Sequence, residues 1–186
     1  MDESVIQSMA KWPNVPDCYG WLHLNAQGQW LMGEVSDDSR PSVVAHAGLQ
    51  GFMNRNYVCP FPASANPDHP HAGAWALQNG PQRVWVTLAL APLVVQWHEG
   101  VFTAHTGSVM TVTRLIQSSD GVVYCNSPQG AGAISSRSVE AFSENVLVQG
   151  EQLIWSGSKQ HAPLHIEPCE AHLIETKLGF QRQITR

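Results

Sequence analysis

The feature that most constrains the fold is an internal repeat, because both halves of the sequence carry the same order of predicted elements. Each half reads as strand, glycine turn, strand, helix, strand, glycine turn and strand. Val139 and Phe142 repeat the spacing of Leu49 and Phe52 on the two predicted helices. A chain made of two related, strand-rich units folds as an α+β protein in which antiparallel sheet dominates. We therefore predict two similar β-β-α-β-β halves that arose by internal duplication.

The limits of the two repeats follow from their turns and helices. Residues 1–19 are predicted to form an N-terminal helix and a Pro-rich lead-in, 20–107 the first repeat and 108–186 the second. The first half is longer between its helix and the strand that follows, so it carries an insertion. Residues 60–73 mix prolines with polar residues and show no period, and they are predicted to be the inserted loop.

The strongest strand signal is QRVWVTLALAPLVVQW, at 82–97, in which aliphatic residues alternate and both faces are largely apolar. We predict one long strand here, central in its sheet because it has no polar face. Helices are predicted at 42–57, where Ser42 is the expected cap, and at 135–146. The segment SPQGAGAI, at 127–134, reads as a glycine-rich loop before the second helix.

Composition and charge exclude several classes of protein. Hydrophobic residues make up 43% of the chain and charged residues 13%, which is typical of a globular rather than a disordered protein. The formal net charge is −5 and the basic residues are scattered, so we expect no nucleic-acid partner. The chain lacks a run of roughly 18 apolar residues, so we expect no membrane span.

The N-terminal sequence and the cysteines indicate a cytoplasmic protein. The segment MDESVIQSMAKWP lacks the basic stretch and apolar run of a secretory signal. Cys18, Cys59, Cys125 and Cys169 are spread along the chain without a CxxC pair, a pattern typical of reduced and mostly buried thiols. We expect a cytoplasmic location on these grounds.

Three segments resemble an uncharacterised proteobacterial family of unknown function. They are WPNVPDCYGWL (12–22), LQGFMNRNYV (49–58) and ALQNGPQRVWVTLALAP (76–92), and they cover most of the first half. More loosely, the order of a G-x-W hairpin, a helix and a long apolar strand resembles a second uncharacterised family, with a repeated β/α motif and a suggested signalling role. The two resemblances imply a duplicated fold and a binding role, and neither implies catalytic residues.

His69 and His71 form the first candidate site, as metal ligands. Residues two apart in an extended chain point to the same side, and Pro70 biases His69 toward extended geometry. Two imidazoles on one side can hold Zn²⁺ when further ligands join them. A third ligand would come from elsewhere in the chain: His46, His98 or His105. The alternative, which we expect, is an exposed Pro-rich loop whose histidines are solvated.

The second candidate site, for a phosphate or another anion, consists of Gly130, Gly132, Ser135, Ser136 and Arg137. Glycines let an anion approach the backbone, and free N–H groups at the start of a helix attract it. The dinucleotide fingerprint G-x-G-x-x-G is incomplete here, because Ser135 occupies the place of the third glycine. The alternative is a flexible connection that ends in an N-cap serine.

Function is predicted from the motifs and the aromatic residues together. The chain lacks the G-x-S-x-G, P-loop, HExxH and kinase signatures, so we assign no catalytic residue and no cofactor. Most of the seven Trp are expected in the core, and a subset on one face would suit a ligand or a dimer contact. We predict a non-catalytic binding or interaction module, in a signalling setting, for a small ligand or a protein, a second copy of the chain included. The alternative is a metal-dependent or other enzyme with a cleft between the two halves.

Overall fold

The computed structural model describes residues 1–157 and 162–184, which form two compact units. Unit 1 comprises residues 1–25, 29–89 and 179–184. Unit 2 comprises residues 26–28, 90–157 and 162–178. Each unit contains one β-sheet. No helix among the described residues has the length and apolar character needed to cross a membrane.

Unit 1 combines two helices with a sheet of six described strands. Its elements are α1 (Glu3–Lys11), β1 (Cys18–Leu24), β2 (Trp30–Met32), β3 (Ser42–Val43), α2 (Ala47–Arg55), β4 (Tyr57–Val58), β5 (Ala76–Asn79) and β6 (Gln82–Leu88). The strand order is β3-β2-β1-β6-β5-β4. The strands β1 and β6 run parallel, and the other described neighbours run antiparallel.

Unit 2 is built around a sheet of nine described strands. Its strands are β7 (Leu93–His98), β8 (Val101–Ala104), β9 (Val109–Met110), β10 (Arg114–Ser118), β11 (Val123–Asn126), β12 (Gly132–Ile134), β13 (Val146–Gln149), β14 (Gln152–Trp155) and β15 (Leu164–Cys169). Its helices are α3 (Val139–Ser143) and α4 (Ile174–Leu178), each preceded by a 3-10 turn, Ser136–Ser138 and Ala171–Leu173. The strand order is β13-β14-β15-β10-β11-β12-β7-β8-β9.

The two halves share one internal strand order, which confirms the predicted α+β class with two similar halves. The order β3-β2-β1-β6-β5-β4 of unit 1 corresponds to β12-β11-β10-β15-β14-β13 of unit 2. In both, a meander of three strands, a helix and a second meander follow one another, and the first and last strands pair in parallel. Each half has one more short strand on either side of its helix than the sequence indicates. The strands β7, β8 and β9 extend the sheet of unit 2 beyond β12.

The two halves differ most in the length of the connection between the first two strands after the helix. Residues 59–75 join β4 to β5, whereas Gly150 and Glu151 alone join β13 to β14. The predicted inserted loop, 60–73, lies inside the longer connection. The first half therefore has residues in this connection with no counterpart in the second.

The segment predicted as one long strand, 82–97, is two strands in the structure. The first, β6, ends at Leu88, and β7 begins at Leu93 in the other sheet. Pro92 has no N–H to donate to a strand ladder, so it interrupts the apolar run. The division between the two units, after Ala89, falls in this break. The predicted central position holds for β6, which lies between β1 and β5.

Both central helices are shorter than predicted. Helix α2 begins at Ala47 because the His46 ring, rather than Ser42, caps it and accepts a hydrogen bond from Leu49 N at 3.1 Å. Ser42 lies in the short strand β3. The second helical segment begins as the 3-10 turn Ser136–Ser138 and continues as α3. Serine is a far commoner cap than histidine, so the local pattern pointed to the wrong residue.

Tryptophans occupy both core and surface positions. Trp30, Trp85 and Trp155 are at most 2% exposed, which agrees with the predicted core role. Trp12 and Trp21 are 51% and 42% exposed. An exposed tryptophan leaves a large apolar area in contact with water. Trp12 and Trp21 are therefore candidates for contact with a ligand or a partner.

The predicted glycine-rich loop, 127–134, ends in a buried strand. Gly132 belongs to β12, which pairs with β11 on one side and with β7 on the other. A Cβ atom at Gly132 would lie 2.6 Å from Val95 Cγ2 and 3.0 Å from Cys125 Sγ. Close packing, rather than loop flexibility, therefore requires glycine at this position.

The substitution Gly132→Ala should lower the free energy of unfolding by roughly 1–3 kcal/mol, because the added methyl group overpacks the interior. Gly51→Ala is the matched control and should raise it by about 0.5–1 kcal/mol, because alanine is the better helix former. The atom closest to its new Cβ is Arg55 Nη1 at 3.3 Å, on a side chain that is 60% exposed and can move aside. Urea unfolding of the two variants measures both effects, and a wild-type midpoint for Gly132→Ala would contradict the packing argument.

Candidate functional site

The candidate site is an apolar cavity of about 280 Å³ in unit 1, between α2 and one face of the sheet. Its walls consist of apolar or sulfur-containing side chains, and two carboxamides complete the lining. The lining residues are Cys18, Trp21, Leu22, Met32, Leu49, Phe52, Met53, Leu77, Val84, Asn79 and Gln82. A concave, mostly apolar cavity with a few polar groups has the usual character of a small-molecule site.

Helix α2 supplies one wall of the cavity through residues at helical spacing. Leu49, Phe52 and Met53 lie on one face of the helix, with Met53 fully buried and Leu49 38% exposed. The end of the helix is fixed by Asn56, which is fully buried. Its Nδ2 donates to Phe52 O at 2.8 Å, and its Oδ1 accepts a hydrogen bond from Asp2 N at 2.8 Å. This wall therefore runs from a buried floor to an exposed rim.

A bulge in β1 places Trp21 on the cavity side of the sheet. The register of β1 against β6 shifts between Cys18 and Leu22. In a regular strand, Trp21 and Leu22 would point to opposite faces, yet both line the cavity here. Gly20 has a φ of 70°, in the left-handed region that glycine adopts without a steric penalty. The glycine in the segment CYGWL thus positions the exposed tryptophan at the cavity.

The β5–β6 hairpin supplies both an apolar wall and a polar end. Leu77 pairs with Val84, and Asn79 pairs with Gln82. Residues two apart in a strand share a face, so the carboxamide pair lies directly beyond the apolar pair. Gln82 Nε2 donates to Pro16 O at 3.2 Å. The cavity therefore changes from apolar to polar toward the turn of this hairpin.

The lining of the cavity carries no Asp, Glu, Lys, Arg or His side chain. Arg83 lies on the other face of the sheet, where its Nη1 is 3.6 Å from Asp17 Oδ2. Its guanidinium lies 5.3 Å from the ring centroid of Phe61 and 5.4 Å from that of Trp85. The site is therefore electrically neutral.

A second, more open cavity of about 700 Å³ lies in unit 2, at the carboxyl ends of the parallel strands β10 and β15. Lys177 lines it, with Nζ 3.2 Å from Glu167 Oε2. Arg114 donates two hydrogen bonds to the same carboxylate, at 2.7 and 2.6 Å. Arg114 first, and Lys177 after it, lower the pKa of Glu167 to about 2. Lys177, the cation in this lining, is already paired with Glu167. We therefore take the unit 1 cavity as the candidate site.

The inserted loop packs on the other face of the unit 1 sheet and carries both candidate metal-binding histidines. His69 stacks on Phe61 with ring centroids 3.6 Å apart, and His71 meets Trp85 edge to face at 4.7 Å. Both histidines are half-buried rather than solvated, and their ring centroids are 5.7 Å apart. Among residues 1–157 and 162–184, no three His, Cys, Asp or Glu side chains gather where they could hold a metal ion. The structure thus brings the two histidines together within an aromatic cluster, without a third ligand.

The second set of candidate residues lies in unit 2 and is spread over a strand and a turn. Gly130 precedes β12, and Gly132 belongs to it. Ser135 is fully buried, and its Oγ accepts a hydrogen bond from Arg137 N at 3.4 Å, as the N-cap of the 3-10 turn. Ser136 and Arg137 are exposed on that turn. The chain itself uses the Ser135 hydroxyl, and anion binding at these residues stays a prediction.

None of the cavity residues was singled out as a site from the sequence. With the exception of Met32, every lining residue lies in one of the three segments 12–22, 49–58 and 76–92. These are the segments that carry the resemblance to an uncharacterised family. Their convergence on one cavity is the signal that could have identified the site.

The substitution Gly20→Ala should reshape the cavity and lower the free energy of unfolding by roughly 1–2 kcal/mol, because alanine is strained in the left-handed region. No atom lies within 4 Å of the added Cβ, so the cost is conformational and not a clash. Gly121→Ala is the matched control in unit 2, with a φ of 88° and equally open surroundings. Urea unfolding should report a similar loss for both, whereas the alkylation rate of Cys18 by N-ethylmaleimide should change in Gly20→Ala only. Equal Cys18 rates in both variants and the wild type would contradict the role of the bulge.

Acid should loosen the inserted loop through His71. Desolvation, and then the charge of His69, lower the pKa of His71 from its usual 6.5, so the unfolded loop takes up protons that the packed loop does not. The packing of residues 60–73 should therefore be strongest above pH 6.5 and should weaken as the pH falls below that value. Amide hydrogen exchange of this loop at about pH 7.5 and about pH 5.5, corrected for intrinsic rates, measures the effect.

In that experiment His71→Gln should show a smaller pH dependence than the wild type. His98→Gln is the control, because the His98 side chain is 87% exposed and lies outside the inserted loop. The assignment to His71 fails if all three proteins show the same pH dependence in the loop.

Comparison with known proteins places the chain in an uncharacterised family. The DUF2944 family, which carries the description "Protein of unknown function (DUF2946)", matches residues 1–185. The chain belongs to this family, which confirms the resemblance to a family of unknown function. No curated protein matches the chain in sequence.

Two solved structures of the DUF1285 family are similar to the chain. The protein from Silicibacter pomeroyi DSS-3 has 12% sequence identity and a TM-score of 0.54, over 87% of each chain. The protein from Shewanella baltica OS155 has 16% identity and a TM-score of 0.44, over 67% of this chain and 91% of its own. At such low identity, the first of these structures supports a shared fold alone.

Proposed function

We propose that this DUF2944 protein is a non-catalytic binding module whose unit 1 binds a small, uncharged, largely apolar molecule in the cavity under α2. One observation carries the proposal: a cavity of about 280 Å³ has an apolar lining without a single charged side chain. Apolar walls favour an apolar ligand, because its burial removes hydrophobic surface from water. The half-exposed Trp21 and Leu49 at the rim give such a ligand a way in.

The size of the cavity limits the ligand. An engineered apolar cavity of about 150 Å³ holds benzene. The larger space here suits a bicyclic aromatic ring or an alkyl chain of moderate length. Larger molecules would have to extend past the rim into solvent.

The residues around the cavity favour binding over catalysis. General acid–base catalysis uses titratable side chains within hydrogen-bond reach of the substrate. Cys18 is the one candidate nucleophile in the lining, and neither a histidine nor a carboxylate accompanies it there to activate it. A pocket with this lining can hold and release a molecule.

We propose a cytoplasmic location for this activity. All four cysteines are free thiols, and three of them are at least partly accessible. Accessible thiols persist in reducing compartments and pair or oxidise outside them.

Binding of a small apolar probe should protect Cys18 from alkylation. With indole or 1-octanol at saturation, the rate of Cys18 modification by N-ethylmaleimide should fall several-fold, because the probe occupies the space next to the thiol. Peptide-level mass spectrometry measures this rate, and titration calorimetry measures the affinity. Cys169, in unit 2, is the internal control and should keep its rate.

A variant that fills the cavity separates specific binding from general adsorption. Leu49→Trp should abolish both the protection and the calorimetric signal, because the larger side chain enters the cavity from the rim. Val139→Trp is the matched control, on α3 of unit 2 and similarly exposed, at 45% against 38% for Leu49. The proposal is wrong if neither probe binds the wild type, or if Leu49→Trp binds them as the wild type does.

A further inference from the structure

The polar end of the unit 1 cavity consists of two carboxamides held side by side. Asn79 is the last residue of β5, Gln82 is the first of β6, and the two are paired across the hairpin. Opposed residues in an antiparallel pair have their Cβ atoms about 5 Å apart. The next pair on the same face, Leu77 with Val84, is apolar and lines the same cavity. A ligand along this face would therefore contact apolar side chains with its body and carboxamides with one end.

The hydrogen bonds of Gln82 decide which of its amide atoms remains for a ligand. Its Nε2 donates a hydrogen bond to Pro16 O at 3.2 Å. Its Oε1 therefore points away from Pro16 and remains as an acceptor. The Asn79 side chain is exposed at the turn and offers both a donor and an acceptor. Together the pair presents at least one N–H donor and one C=O acceptor. A head group with one carbonyl and one N–H, such as an amide, matches both.

Charged head groups lack a partner at this end of the cavity. The lining contains no cation for a carboxylate and no anion for an ammonium group. The neighbouring Arg83 faces the other side of the sheet, next to Asp17. A charged head group that left water for this end of the cavity would lose hydration without gaining an opposite charge. A neutral polar head avoids this cost and can still satisfy its hydrogen bonds.

We infer that the ligand of this site is a neutral amphiphile, with an apolar body in the cavity and an amide head group bound by Asn79 and Gln82. The inference rests on the proposed binding function and adds the chemical class of the ligand. Each buried CH₂ of the body adds affinity by removing apolar surface from water, without regard to the head. The carboxamide pair then distinguishes an amide from a carboxylate or an amine of the same chain length.

The test compares hexanamide, hexanoate and pentylammonium, three probes with the same pentyl body and different heads. Titration calorimetry of the full chain at neutral pH should show hexanamide binding at least tenfold more tightly than either charged probe. The near-isosteric substitutions Asn79→Leu and Gln82→Met should each reduce this preference several-fold, because they remove the head-group contacts and keep the apolar walls. Gln149→Leu, which changes an exposed carboxamide on β13 of unit 2, should leave the preference unchanged.

The outcomes separate this inference from the function on which it rests. Equal affinity for hexanamide and hexanoate, with binding still lost in Leu49→Trp, would overturn the amide head and leave the apolar binding site in place. A preference for hexanamide that survives in both Asn79→Leu and Gln82→Met would overturn the assignment of the head group to these residues. Absence of binding by hexanamide, indole and 1-octanol alike would overturn the inference and the proposed function together.

Discussion

The parallel pairing of β1 with β6 is the contact on which unit 1 depends. It joins Cys18 to Val84 and Leu24 to Leu88, which lie far apart in the sequence. Through this pairing the two antiparallel meanders of the unit become one sheet, wide enough for α2 to cover. The cavity lies across this seam, because β1 and β2 come from one meander and β5 and β6 from the other. Without the parallel pair, its walls would belong to two separate ribbons.

The same topology occurs in unit 2, but different side chains pack under its helix. There β10 and β15 form the parallel pair, and the chain again passes through a helix between two meanders. Phe142 of α3 stacks on the indole ring of Trp155, with centroids 5.6 Å apart and Trp155 only 1% exposed. Two large aromatic side chains fill the interior at that helix. On the same backbone path, the volume of the side chains therefore sets how much space remains under the helix.

Local signals explain how much of the fold could be predicted, and long-range contacts explain the errors. The alternation of Leu22 and Leu24 predicts β1 correctly, because strand periodicity is a property of neighbouring residues. The local pattern predicts Gly132 in a loop, yet its strand β12 pairs with two strands, one of them distant in sequence. The alternation over 82–97 predicts one strand, yet its two ends belong to different sheets. In each case the deciding partner was outside the window that a pattern can read.

The sequence by itself determined the α+β class and the similar order of elements in the two halves, since periodicity and turn glycines are local properties. Only the tertiary structure decided the functional geometry. It turned Trp21 to the same side as Leu22 through the bulge at Gly20, and it packed His69 and His71 against aromatic rings instead of water. The physical reason is that a cavity or a cluster is defined by distances between residues remote in sequence. Those distances are set by strand register and side-chain packing, which no short stretch of residues encodes.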